Sequence, residues 1–148
     1  TLSMTGNAMI IGHPENRPLA QYPRNIVLAA ALDYVQSIGL SEIDAHEQRL
    51  TRSLYDGLTA LGGIDILGPR EGRGALISIL VPGVHHYDLG TLLDQMGIAV
   101  RTGHHCCQPL MQYLGTTGTT RYSFAAYNTE ADVAAALAAT ERALNMLR

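Results

Sequence analysis

The chain has 148 residues, 47% hydrophobic and 16% charged, with a formal net charge of -3, the composition of one globular domain with a real core. The small net charge, the absence of any block of like charge, 5% aromatic content and no Trp argue against a nucleic-acid surface or a polybasic membrane anchor. No apolar run approaches the roughly 18 residues of a membrane span, no basic start leads into a secretory-type apolar stretch, and two cysteines make no disulfide framework; a soluble protein in a reducing, cytoplasmic setting is expected.

All ten basic residues are Arg. No lysine of this chain can form a Schiff base. Residues 1–23 (TLSMTGNAMIIGHPENRPLAQYP) hold three prolines and no sustained period, which predicts an irregular lead-in to a single domain over 24–148. From 24, Val27, Ala30, Ala31, Tyr34 and Ile38 recur at helical spacing, and Gly39 stops the helix. Ser41, with Asp44 three residues on, reads as the N-cap of a longer helix. Its stripe is Ile43, Leu50, Leu54, Leu58 and Leu61, and Gly62-Gly63 ends it. IDILGP (64–69) predicts a short strand and turn, EGRG (71–74) a polar link, and ALISILV (75–81) a central strand ended by Pro82-Gly83. Leu89, Leu92, Leu93 and Met96 mark a short helix. IAVRT (98–102) reads as a strand, a short helix falls near 109–114, GTTGTT (115–120) reads as a loop and RYSFAAY (121–127) as a strand. Asn128 or Thr129 caps a last Ala-rich helix whose stripe is Val133, Leu137, Leu144 and Leu147. About four strands with helices between them predict an α/β, two-layer α+β sandwich, the sheet covered by helices on one face.

The segment RTGHHCCQPL (101–110) holds both cysteines. Adjacent side chains of an extended segment point to opposite sides, so four consecutive ligands converge poorly on one ion, and structural zinc sites space their ligands; no metal residues are assigned. A disulfide between neighbours needs a strained eight-membered ring. Two readings of the residues stay open. In one, the cysteines are small side chains packed in a loop. In the other, a thiol is exposed between a strand and a helix, with imidazoles and Arg101 favouring the reactive thiolate. A small metal-binding module using the His-Cys cluster is a further alternative.

GIAVRTGHHCCQPLM, followed by RYSFAAYNTEADV, resembles the C-terminal part of the SUF-type (group II) cysteine desulfurases, close kin of the selenocysteine lyases. The family pattern R-T-G-x-H-C-A, then R-x-S, then Y-N-T, occurs here in order, and HHYDLGTLLDQMGIAV and ALDYVQSIGL also match. The resemblance covers roughly residues 24–148. It implies the small C-terminal domain of the aminotransferase-like, fold type I pyridoxal-phosphate enzymes. Cys106 falls on the persulfide-forming cysteine, which takes sulfur from the cysteine–cofactor adduct and releases alanine. Arg121 falls on the arginine that clamps the substrate α-carboxylate, a task suited to a fork-shaped donor; the plain alternative is a surface salt bridge. Arg101 and His104 are implied near the substrate. Cys107 falls where the family usually has Ala and is expected to face inward, with Cys106 the more exposed thiol. His105 reads as a proton carrier or a loop residue, His85 and His86 as capping or preceding a helix, and His13 and His46 as solvated. The family's cofactor lysine has no counterpart. GNAMI (6–10) looks like the family's G-G-E-M-I, and LAQ (19–21) stands where T-P-N aligns. The resemblance therefore implies a cofactor held by a domain or chain outside this sequence, with none expected on this chain alone. It further implies a sulfur-acceptor protein of iron–sulfur assembly as outlet, and homodimerisation through apolar surface. A non-enzymatic domain that relays persulfide sulfur or binds a partner is the alternative from another class.

Overall fold

The structure, a computed structural model, describes residues 21–148, with side chains from residue 27 onward. The expected lead-in, and His13 with it, falls almost wholly outside the described residues. The elements are α1 (Gln21–Ile38), α2 (Leu40–Leu61), β1 (Asp65–Leu67), β2 (Leu76–Leu80), α3 (His86–Gln95), β3 (Arg101–Gly103), α4 (Gln108–Tyr113), β4 (Thr119–Ser123) and α5 (Glu130–Leu147). This is the order of helices and strands that the apolar periodicity predicts.

The four strands form one antiparallel sheet in the order β1-β2-β4-β3. Side chains alternate across it. Ile77, Ile79 and Tyr122 face the helices and are buried. They meet Leu50, Leu54 and Leu58 of α2, Leu89 and Leu93 of α3, and Val133, Ala136, Ala143 and Leu144 of α5 in one core. Full burial of a leucine contributes roughly 1.5–3 kcal/mol relative to leaving it exposed, so the α2 leucine stripe is a main source of cohesion. Inside this layer the Tyr122 hydroxyl hydrogen-bonds Thr140 Oγ1 at 2.8 Å, and burial pushes the phenol up to about 12. The opposite sheet face carries Leu76, Ser78, Arg121 and Ser123, all partly or fully open to solvent. The architecture is thus α/β in two layers, with helices on one face.

Several boundaries differ from the expected ones. Ser41 does not cap α2. Gly39, at φ 95°, is the N-cap, accepting from Ile43 N–H and donating to Val35 O, so one glycine separates α1 from α2. β3 starts at Arg101 rather than 98, because Ile98 N–H still bonds Leu93 O in closing α3. β4 takes in Thr119 and Thr120, read as loop, and ends at Ser123. Residues 125–128 instead form a turn closed by Asn128 N–H on Ala125 O, with Ala125 N–H donating to Asn128 Oδ1. Thr129 then caps α5 in a reciprocal pair with Asp132, worth about 1 kcal/mol. The backbone N–H of Thr129, and after it the Thr129 hydroxyl, donate to the Asp132 carboxylate and hold it below its ordinary value. Among the described residues no helix is long and apolar enough to cross a membrane.

Candidate functional site: a cysteine turn beside an arginine pair

β3 and β4 run side by side with Arg101 directly opposite Arg121, and Gly103 opposite Thr119. Tyr122 points into the helical layer, so Arg121 points to the open face, and Arg101, its cross-strand partner, shares that face. Like charges directly opposite one another are destabilising in a sheet. No acid relieves this pair: among the described residues the only ion pair is Arg70–Asp56. Arg121 Nε is buried with no hydrogen-bond partner among the described residues. The salt-bridge alternative for Arg121 finds no acidic partner there. Two guanidiniums of this kind suit a planar anion, which accepts parallel N–H bonds and offsets the repulsion.

The chain leaving β3 turns back at once. Cys107 N–H donates to His104 O at 2.9 Å, and the two residues between, His105 at φ 53° and Cys106 at φ 60°, both lie in the left-handed region. This is the pattern of a type I′ turn, ordinarily built on Asn and Gly. Non-glycine residues there cost of order 1–3 kcal/mol each. His104 Nδ1 accepts from Cys106 N–H at 3.0 Å, which puts the His104 proton on Nε2. His105 Nε2 meets Thr119 Oγ1 at 2.8 Å. Burial lowers the His105 pKa first, and the positive charges of Arg121 and Arg101 lower it further, so both guanidiniums lie close to this turn.

Cys106 is exposed. Cys107 is exposed too, against the expectation that it faces inward. It is the N-cap residue of α4, a helix that buries only Met111 and so offers no inner pocket to the residue before it. His85 caps α3, its Nδ1 accepting from Tyr87 N–H. His86, in the first turn of α3, is buried against His85 and Tyr87; burial, then His85, lowers its pKa. His46 is not simply solvated: it is half-buried, with Nε2 2.8 Å from Asn128 O. Thr119 and Gly118 were missed from sequence. A Cβ on Gly118 would lie 2.5 Å from His86 Nε2 and 2.7 Å from the Gly103 backbone, so this glycine lets β3, β4 and α3 close on one another beside the turn.

Among the described residues no three His, Cys, Asp or Glu side chains come together to hold a metal. Pyridoxal phosphate, implied by the resemblance, is ordinarily anchored by a lysine amine. The site's cations are guanidiniums and the chain has no lysine, so these residues do not fit that anchorage. They fit the other half of the chemistry, a carboxylate beside a thiol.

Residues 20–136 match the Aminotransferase class-V family. The chain is 45% identical over 121 residues to a probable cysteine desulfurase of Halobacterium salinarum, covering 81% of this chain and 29% of that protein. It is 42% identical over 122 residues to one of Vibrio cholerae, covering 82% and 30%. Among solved structures, the cysteine desulfurase CsdA (S-sulfonic acid) from Escherichia coli superposes with a TM-score of 0.78 at 38% identity, covering 83% of this chain and 30% of that one. The apo cysteine desulfurase of Thermococcus onnurineus NA1 gives 0.78 and 38% over 82% of this chain and 31% of its own. The chain thus spans about 30% of the length of the relatives it matches. By the family match over most of its length, and by the desulfurases it resembles, the chain belongs to the aminotransferase class-V family.

Proposed function

We propose that this chain is the small domain of a SUF-type cysteine desulfurase, residues 24–148 forming the domain and 1–23 the link to a cofactor-binding domain or chain. The observation that carries the reading is the Arg101–Arg121 pair, set opposite one another without an acid among the described residues, beside the turn that exposes Cys106. In this reading Arg121, with Arg101, binds the α-carboxylate of L-cysteine, and His104 lies near the substrate. Cys106 accepts the sulfur. The reaction is balanced without any oxidant: Cys106 thiol and L-cysteine become Cys106 persulfide and L-alanine, a C–S and an S–H bond breaking while an S–S and a C–H bond form. Pyridoxal phosphate belongs to residues outside this chain. The persulfide then passes to a sulfur-acceptor protein in iron–sulfur cluster assembly, in the cytoplasm, and the protein acts as a homodimer.

The test uses this chain reconstituted with a lysine-bearing cofactor domain. Pyridoxal phosphate added to the chain alone yields no alanine above a Cys106→Ala control. In the complex, Arg121→Ala raises KM for cysteine roughly ten-fold or more, because a charge-assisted contact is worth on the order of 1.5–3 kcal/mol and uniform binding shows in KM. Arg121→Lys restores only part of it, lacking the planar fork. Cys106→Ala abolishes kcat while cysteine still binds. An unchanged KM in Arg121→Ala removes the carboxylate role.

A further inference from the structure

We infer that His105 is a positioning residue for Cys106, tying the His104–Cys107 turn to the body of the sheet through Thr119. A turn with two non-glycine residues in the left-handed region persists only where its surroundings over-determine it. The turn's own bonds, Cys107 N–H to His104 O and Cys106 N–H to His104 Nδ1, are internal to it and hold its shape without fixing where it sits. The bond from His105 Nε2 to Thr119 Oγ1 leaves the turn and reaches across 14 residues of sequence. Its anchor is rigid. Thr119 is 1% exposed, is paired in register with Gly103, and follows Gly118, which has no room for a side chain between His86 and the Gly103 backbone.

The tautomer follows from what lies behind the ring. His105 Nδ1 is buried without a partner among the described residues. A buried unpaired N–H costs more than a bare lone pair, so the proton sits on Nε2 and is donated to Thr119 Oγ1. Burial and the two guanidiniums disfavour a second proton and outweigh the hydrogen bond at Thr119, which favours one; the ring is therefore neutral at neutral pH, and Nε2–H is the donor. His105 thereby acts on the reaction through its neighbour, by holding the thiol at the sheet end where the arginine pair stands. The inference rests on the proposed role of Cys106 as the reacting thiol.

The 148-residue chain is alkylated with iodoacetamide under native conditions, and peptide mass spectrometry reads the rates at Cys106 and Cys107 separately. Their ratio cancels changes in global stability or reagent, since the two thiols are neighbours. His105→Asn keeps a residue that tolerates the left-handed backbone but mimics only Nδ1 and falls short of Thr119. His105→Gln places an amide nitrogen where Nε2 was. We expect His105→Asn and Thr119→Val to lower the Cys106-to-Cys107 rate ratio at least three-fold, and His105→Gln and Thr119→Ser to stay within two-fold of the native ratio. Thermal melts are recorded for every variant; should Thr119→Val unfold, the half-exposed position 105 carries the comparison. A native ratio in His105→Asn overturns the tether. So does an equal fall in the Asn and Gln variants, which assigns the effect to ring bulk. Because no cofactor or substrate is present, these outcomes stand apart from the desulfurase reading, which fails separately if the reconstituted complex releases no alanine.

Discussion

His105 and Cys106 hold backbone conformations that their side chains disfavour, and this is the main local cost of the site. Relief at either position should appear as stability. Cys106→Gly removes the Cβ clash at φ 60° and is expected to raise stability by about 1 kcal/mol, seen as a Tm increase of roughly 2–4 °C. A lower Tm would mean that the thiol makes a stabilising contact. The histidines set the response to acid. His86 and His105 both lie below the ordinary value of 6.5 in the folded chain, chiefly through burial. As pH falls, the unfolded chain therefore takes up these protons first. The stability from the neutral rings is present in full above about 6.5 and is lost as pH falls through that value towards the lowered folded ones. Tm should thus drop between pH 7.5 and 5, and the drop should shrink in His105→Gln. A Tm that does not change over this range would show that both rings titrate normally.

At the scale of elements, the close approach of β3, β4 and α3 depends on Gly118. Its substituent would meet backbone atoms of Gly103 at 2.7 and 2.8 Å, which no rotamer change relieves, so Gly118→Ala must displace β3 or α3. We expect a loss of several kcal/mol, at the high end for single substitutions, read by urea unfolding; a change below about 1 kcal/mol would mean that the strands part freely. The elements themselves were legible in the sequence because their apolar periods are strong: the leucines of α2 and the run 76–80 leave little choice of period. Boundaries were less legible because competing hydrogen bonds decide them. Ile98 completes a helix instead of starting a strand, and the Asn128 side chain closes a turn over residues read as strand. At the site, the RTGHHC and RYS motifs drew attention to Arg101, Cys106 and Arg121. No motif states that two arginines face each other across a ladder, since that is a matter of register. The His105–Thr119 bond is hidden for the same reason, and the resemblance turns Cys107 inward because it carries residue types but not the solvent around them.

The whole molecule leaves apolar surface open. The sheet face away from the core shows Leu76, and on the helices Val27, Leu28, Leu32, Leu40 and Met146 are each more than half exposed. Apolar surface of that extent favours association. We expect the chain to self-associate, a dimer being the simplest product, with Leu28→Glu plus Leu32→Glu shifting it towards monomer; light scattering from micromolar to near-millimolar concentration checks this, and a monomer throughout would count against it. The strand order β1-β2-β4-β3 limits the form such association takes. The two outer strands have only three residues each, while the two five-residue strands are enclosed between them. A growing cross-β stack recruits chains through long unpaired backbone, and three residues offer too few amides and carbonyls to template the next molecule. Crowded chains will therefore stick by their greasy faces and separate again on dilution, instead of seeding fibres that bind thioflavin.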